Sequence, residues 1–227
     1  MKPSIIFDFD GVLANSEIIA LAELQILLQE YGIEVEMPAL IDKFLGASLP
    51  QITNFVTEHT GKNVQNEFHA TWYERLFTRY EQELEPVSGA IELLDWLDAE
   101  NVKYCIASGS SYRRLSFALE CISLTERFKD RAFSAESVCI GKPEPDIFLF
   151  AADQLGVFTN KCIVLEDSFS GTIAARRAGM PCIGFVGGGH LSTTSDSHAT
   201  RLKTAGAQEV IQSHAEFRSI LEPAMNK

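Results

Sequence analysis

The chain of 227 residues contains no CxxC pair, and its five cysteines (Cys105, Cys121, Cys139, Cys162 and Cys182) are scattered and odd in number. That pattern argues against a disulfide framework. Cys105, Cys162 and Cys182 lie within apolar runs and are expected to be buried and reduced. No stretch reaches the ~18 uninterrupted apolar residues of a membrane span. The opening MKPSIIFDFDG lacks the apolar core and small-residue cleavage site of a signal peptide. The expected setting is therefore cytoplasmic, without a membrane partner. Positive charge is scarce, with 19 basic against 31 acidic residues and a net charge of −12. No cluster of Lys and Arg offers a footprint for nucleic acid, and the long-range field disfavours one. An anionic ligand would need a local site that overcomes this field, built from a metal, a lysine or helix N-termini. There are no internal repeats, low-complexity tracts or coiled-coil heptads, and a monomer is expected.

What is present is ordinary for a soluble globular protein, at 46% hydrophobic and 22% charged residues. Four short runs, SIIFDF (4–9), VKYCIAS (102–108), KCIVLED (161–167) and PCIGFVG (181–187), are apolar on consecutive positions. Strands of a parallel sheet covered on both faces have this character. Helical patterns over 89–101, 111–122, 145–156 and 168–180 separate them, and a strand EVI (209–211) and a helix HAEFRSILEP close the chain. This alternation predicts an α/β fold, a Rossmann-like doubly wound parallel sheet.

Residues 16–84 break the rhythm, with helical periodicity and almost no strand character. Ser16 is expected to cap a helix ending at Gly32. PALIDKFL ends at Gly46, Ser48 is expected to cap LPQITNFVTEHT, and Phe68, Trp72 and Leu76 form an apolar stripe. About four helices inserted into the sheet domain are predicted. The core then comprises 1–16 and 85–227, and the α-helical insertion 17–84. The stretch GGGHLSTTSDSH (187–198) is read as a loop.

Ligands of an open parallel sheet bind beyond the carboxyl ends of its strands. There the sequence places Asp8 and Asp10, then Ser108-Gly109-Ser110, then Lys142 in GKPEPD, then Glu166-Asp167-Ser168. Taken singly, each is a polar turn, a helix cap or a solvated lysine. Together at one edge they supply carboxylates for a cation, a hydroxyl with free N–H groups, and one lysine. That is the chemistry of an anion held with Mg²⁺.

The segments FDFDGVLANSE, IASGS, GKPEPDIF and VLEDSFSGTIAARRAGM closely resemble the four motifs of the haloacid dehalogenase superfamily, in order. The pattern is most similar to the β-phosphoglucomutase-like phosphatase branch, whose helical cap follows the first motif. The resemblance implies a phosphatase acting on a small phosphorylated metabolite, a sugar or sugar-acid phosphate in class. By the same resemblance Asp8 is the nucleophile and Asp10 the general acid and base, the latter with its pKa raised. Mg²⁺ would be held by the Asp8 carboxylate, the Asp10 carbonyl, Asp167 and Glu166. Ser108, Gly109 and Lys142 would bind the phosphoryl oxygens, so that Ser108 and Lys142 join the catalytic set.

Asp10 separates this chain from the dehalogenases, which lack the second aspartate. Sugar-phosphate mutases carry a histidine where this chain has Ala20, and a cap arginine where it has Leu49. The phosphatase reading therefore leads, with a mutase of the β-phosphoglucomutase type and a silent binding module as alternatives. A Schiff-base chemistry on Lys43 or Lys62 carries less weight, because both read as solvated helix-end charges. Substrate contacts are expected from the insertion, at Gly46, Ser48 and Arg75, with Asn15 beside them. The five histidines (59, 69, 190, 198 and 214) read as surface or loop residues, with His190 able to approach the rim. Arg113 and Arg114 read as surface.

Overall fold

The computed structural model describes residues 2–225. Six strands form one parallel sheet: β1 (Ser4–Phe7), β2 (Tyr104–Ser108), β3 (Ala132–Ser134), β4 (Cys162–Glu166), β5 (Cys182–Phe185) and β6 (Glu209–Ile211). Their spatial order is β3-β2-β1-β4-β5-β6. The centre of the sheet is in register at Phe7, opposite Ile106 on one side and Leu165 on the other. The order reverses direction at β1 and β4, the point at which a crevice opens in sheets of this kind.

Side-chain alternation sorts the core into two layers. Ile5 and Phe7 face one layer, with Leu93, Leu94 and Leu97 of α5 (Ala90–Ala99) and Phe217 of α10 (His214–Met225). Ile6 faces the other, with Ile147, Phe148 and Ala151 of α7 (Asp146–Gln154) and Ala174 and Ala175 of α8 (Phe169–Arg177). Cys105, Cys162 and Cys182 are buried free thiols in this second layer, as their apolar setting predicts. Helix α6 (Tyr112–Cys121) connects β2 to β3 and is capped by Ser111.

Between β1 and α5 stand four helices: α1 (Ser16–Glu30), α2 (Met37–Phe44), α3 (Leu49–Thr60) and α4 (Gln65–Glu83). The chain leaves the sheet at Asn15 and returns at Glu85, where the Asn15 N–H donates to the Glu85 carbonyl at 2.9 Å. Phe68, Trp72, Leu76 and Tyr80 of α4 are buried along the stripe read from the sequence. Outside that bundle α4 lies on α6, where Phe77 stacks on Phe117 at 4.3 Å between ring centres.

Several local expectations change. Strand β1 ends at Phe7, so Asp8 and Asp10 lie in the turn beyond it. Ser16 is the first helical residue of α1 and makes no cap; its hydroxyl donates to Asp10 instead. Ser48 does open α3, with Gln51 Oε1 accepting from its N–H at 2.7 Å. The short strand β3 was not expected. Nor was α9 (Ser195–Ala205), which begins inside the stretch read as a loop. Its polar sequence hides the helix because only His198, Leu202 and Ala205 are buried. Among the described residues no helix is long and apolar enough to cross a membrane.

Candidate active site

The turn after β1 brings its two aspartates to different partners. Asp8 Oδ1 accepts from Lys142 Nζ at 2.5 Å, and the same ammonium donates to Glu166 Oε2 at 2.7 Å. Glu166, fully buried at the end of β4, has its other oxygen occupied by the N–H and hydroxyl of Ser168, at 2.9 and 2.7 Å. Asp8, Glu166 and Asp167 each offer a carboxylate oxygen within 4.8 Å of the others, all buried. Glycines allow this crowding. At Gly11, where φ is +80°, a Cβ would stand 2.2 Å from Asp167 Oδ2; at Gly171 it would stand 2.1 Å from Glu166 Oε2.

Electrostatics follow from the geometry. Burial first, and then the Glu166 carboxylate, push Asp8 well above the ordinary carboxylate range, against the pull of Lys142. Burial and Glu166 do the same to Asp167. Burial disfavours the charge on Lys142, but Asp8 and Glu166 outweigh it and hold the ammonium above the usual lysine range. One ammonium cannot neutralise three carboxylates, and Asp167 Oδ2 is buried without a hydrogen-bond partner. A hard divalent cation, which takes oxygen ligands, fits both the charge deficit and the orphaned atom.

Asp10 is tied elsewhere. Its Oδ1 accepts from Ser16 Oγ at 2.6 Å and Arg114 Nη2 at 2.9 Å; its Oδ2 accepts from Ser110 Oγ at 2.7 Å and Ser108 Oγ at 3.2 Å. Burial would raise its pKa, but Arg114 and the three hydroxyls prevail and lower it. The expectation of a raised pKa at Asp10 is thus corrected, because a guanidinium stands where none was expected. The side chain of Asp10 also stands outside the carboxylate cluster. Ser108 is fully buried and spends its proton on Asp10, while the space beside Gly109 is open.

Arg114 is a correction in its own right. Arg113 is exposed, over the ring of Tyr73, but Arg114 is turned inward with only 14% of its side chain exposed. Three histidines are corrected likewise: His190, His198 and His214 are buried. Nε2 of His190 lies 3.1 Å from Asp167 Oδ2, without hydrogen-bond alignment, and burial lowers that histidine to about 4. His198 Nε2 donates to the Asp167 carbonyl at 2.6 Å. Glu17 is buried beside Arg114, and burial raises its pKa.

Of the substrate contacts expected from the insertion, Gly46 reaches the sheet edge, where a Cβ would stand 3.1 Å from that of Ser168. Ser48 is exposed at the start of α3. Arg75 is drawn away, its guanidinium paired with both oxygens of Glu30 at 2.8 and 3.0 Å, beside a surface hollow of about 500 Å³. Asn15 spans the root of the insertion, accepting from the Gly189 N–H and donating to the Pro86 carbonyl.

A sheet-edge set of this composition has known relatives. Residues 5–185 match the family model of the haloacid dehalogenase-like hydrolases. The chain belongs to that family. It is 27% identical to 6-phosphogluconate phosphatase of Escherichia coli over 82% of this chain and 84% of that one. It is 31% identical to the Drosophila melanogaster protein named "Probable pseudouridine-5'-phosphatase", over 94% and 90%. A conserved haloacid dehalogenase-like protein of unknown function from Agrobacterium tumefaciens superposes with a TM-score of 0.83, at 34% identity and with both chains fully covered. This haloacid dehalogenase-like hydrolase is an enzyme of the phosphatase type.

Proposed function

We propose that the hydrolase is a Mg²⁺-dependent phosphatase of small phosphate monoesters, sugar or sugar-acid phosphates in class, working through an aspartyl-phosphate on Asp8. The observation that carries this reading is the convergence of Asp8, Glu166 and Asp167 around Lys142 at the ends of β1 and β4. Asp8 and Asp167, with Glu166 and the Asp10 carbonyl, would hold Mg²⁺. When bound, the cation supplies charge compensation between the phosphoryl group and the carboxylates.

The residues of the chain do the rest. Asp8 attacks phosphorus through one carboxylate oxygen, the ester oxygen leaves, and Lys142 holds Asp8 on line. The leaving alkoxide takes up a proton, which Asp10 would supply in its protonated form. In the second half Asp10, as carboxylate, takes a proton from water, which attacks the aspartyl-phosphate and frees Asp8. The network on Asp10 favours the carboxylate, and so this second, hydrolytic half.

Residues 17–84 would act as a cap that excludes water. Gly46 against Ser168, the Asp42–Arg201 ion pair and the stacking of α4 on α6 support a seated cap. Transfer to water rather than to a second sugar position fits the insertion too. Ala20 is buried and apolar, Leu49 carries no charge, and Arg75 and Arg79 are engaged by Glu30 and Glu83. A second phosphate would find none of these four to grip it.

The test is release of inorganic phosphate from a panel of sugar, sugar-acid and nucleoside monophosphates, with Mg²⁺ and with chelator. Release that needs Mg²⁺ and falls at least ~1,000-fold in Asp8→Asn is expected. Isomerisation of a sugar phosphate primed by a bisphosphate, without net release, would overturn the reading in favour of a mutase.

A further inference from the structure

A buried guanidinium joins the helical insertion to the sheet domain. Arg114, at the start of α6, donates from two nitrogens of its planar fork to two different partners. Nη2 donates to Asp10 Oδ1 at 2.9 Å, and Nε donates to the hydroxyl of Tyr80 at 3.0 Å. Tyr80 belongs to α4 and is 1% exposed. Glu17, from the first turn of α1, places a carboxylate oxygen 3.9 Å from the same Nη2. So two helices of the insertion and the turn after β1 meet on one side chain. The seam that leads to it is continuous. Tyr73 meets the Ser111 hydroxyl at 3.0 Å, Arg113 lies over the Tyr73 ring, and Phe77 stacks on Phe117.

We propose that Arg114 is a positioning residue that ties the seating of α4 to the orientation of the Asp10 carboxylate. A guanidinium fixed at Nε by Tyr80 can present Nη2 in one direction only, and that direction is Asp10. Should α4 rise from α6, Tyr80 and Glu17 leave together, and the fork is free to rotate about its stem. Asp10 then loses the one charged partner on Oδ1 and keeps only hydroxyls. The insertion thereby acts on Asp10 through a residue of the sheet domain, with no contact of its own to the reacting phosphate. The proposal rests on the acid–base role given to Asp10 above.

Three variants separate this role from simple packing: Tyr80→Phe, Arg114→Lys and the pair combined. Tyr80→Phe keeps the ring and removes one buried hydrogen bond; kcat is expected to fall about 3- to 10-fold with KM unchanged. Arg114→Lys keeps the charge and removes the fork, and kcat is expected to fall about 10- to 100-fold. The double variant should be no slower than Arg114→Lys, because the tyrosine acts only through the arginine. Amide hydrogen exchange over residues 9–16 is measured alongside and should quicken in Tyr80→Phe, in the presence or absence of any turnover. Losses that multiply in the double variant, or lowered melting temperatures with kcat unchanged, would overturn the link. Exchange over 9–16 that is unmoved in Tyr80→Phe would overturn it also if the protein turned over no monoester. Silence of the wild type on every monoester, with exchange quickened, would sink the phosphatase reading and leave the mechanical link standing.

Discussion

At the scale of single residues, the site depends on what is missing at two glycines. Helix α8 begins directly over the buried Glu166, so close that an alanine methyl at position 171 would overlap the carboxylate at 2.1 Å. Either the helix must back away or Glu166 must turn from Lys142 and Ser168. Gly171→Ala should therefore lose about 1–3 kcal/mol of stability, the usual cost of overpacking. With Mg²⁺ held as proposed, its affinity should also fall at least ~10-fold, because the cluster includes the displaced group. Thermal denaturation with and without Mg²⁺ measures both effects, and a Mg²⁺-induced rise in melting temperature equal to that of the wild type would refute the second. The same scale shows what the sequence can reveal. Asp8, Lys142, Glu166 and Asp167 were legible because each stands where an apolar run stops or a turn begins, and strand ends of a parallel sheet meet at one edge. Arg114 was not legible. Which of two adjacent arginines turns inward depends on the rotation of α6 about its axis, and that is set by Phe117 meeting Phe77 of a helix 40 residues away in the chain.

At the scale of elements, burial rather than local propensity decides how readable a segment is. Helix α4 announces itself because Phe68, Trp72, Leu76 and Tyr80 recur on one face and all are buried. Helix α9 has almost no such stripe and is held by what it covers: Leu202 lies within 3.2 Å of where a Gly184 side chain would begin on β5. Strand β3 has only three residues and takes its place from pairing with Ile106–Ser108 of β2, a contact with no local trace. A stability prediction follows for α4. Leu76 is fully buried between the helices of the insertion, so Leu76→Ala should cost about 2–5 kcal/mol through lost burial and the cavity left behind. Thr78, exposed two residues on, should tolerate alanine within about 0.5 kcal/mol. Equilibrium denaturation of both variants checks the contrast; similar losses would mean that α4 is not packed as described.

At the scale of the whole molecule, three buried histidines make the fold sensitive to acid. His190 and His198 both lie against Asp167 and His214 stands apart, and burial lowers the pKa of each below the ordinary 6.5, to about 4 for His190. The unfolded chain takes up protons on these rings at a higher pH than the folded one. Their contribution to stability is thus fully present above pH 6.5 and is lost as the pH falls toward the lowered folded values. For His190 alone the difference amounts to roughly 3 kcal/mol. Asp8 and Asp167 act in the opposite sense, since their raised values make the folded protein hold protons more tightly as the pH rises from 4. A variant compared with the wild type at each pH removes that opposing trend. His214 is the ring to use, because it lies away from the carboxylates, with Nδ1 donating to the Ser88 carbonyl and its face against Phe185. His214→Gln keeps a donor and cannot become charged. It should be less stable than the wild type at pH 7.5, and the gap should narrow steadily as the pH falls to 4.5. Chemical denaturation across that range measures the gap. A gap of constant size would mean that His214 titrates alike in the folded and the unfolded protein, so that burial does not govern its protonation.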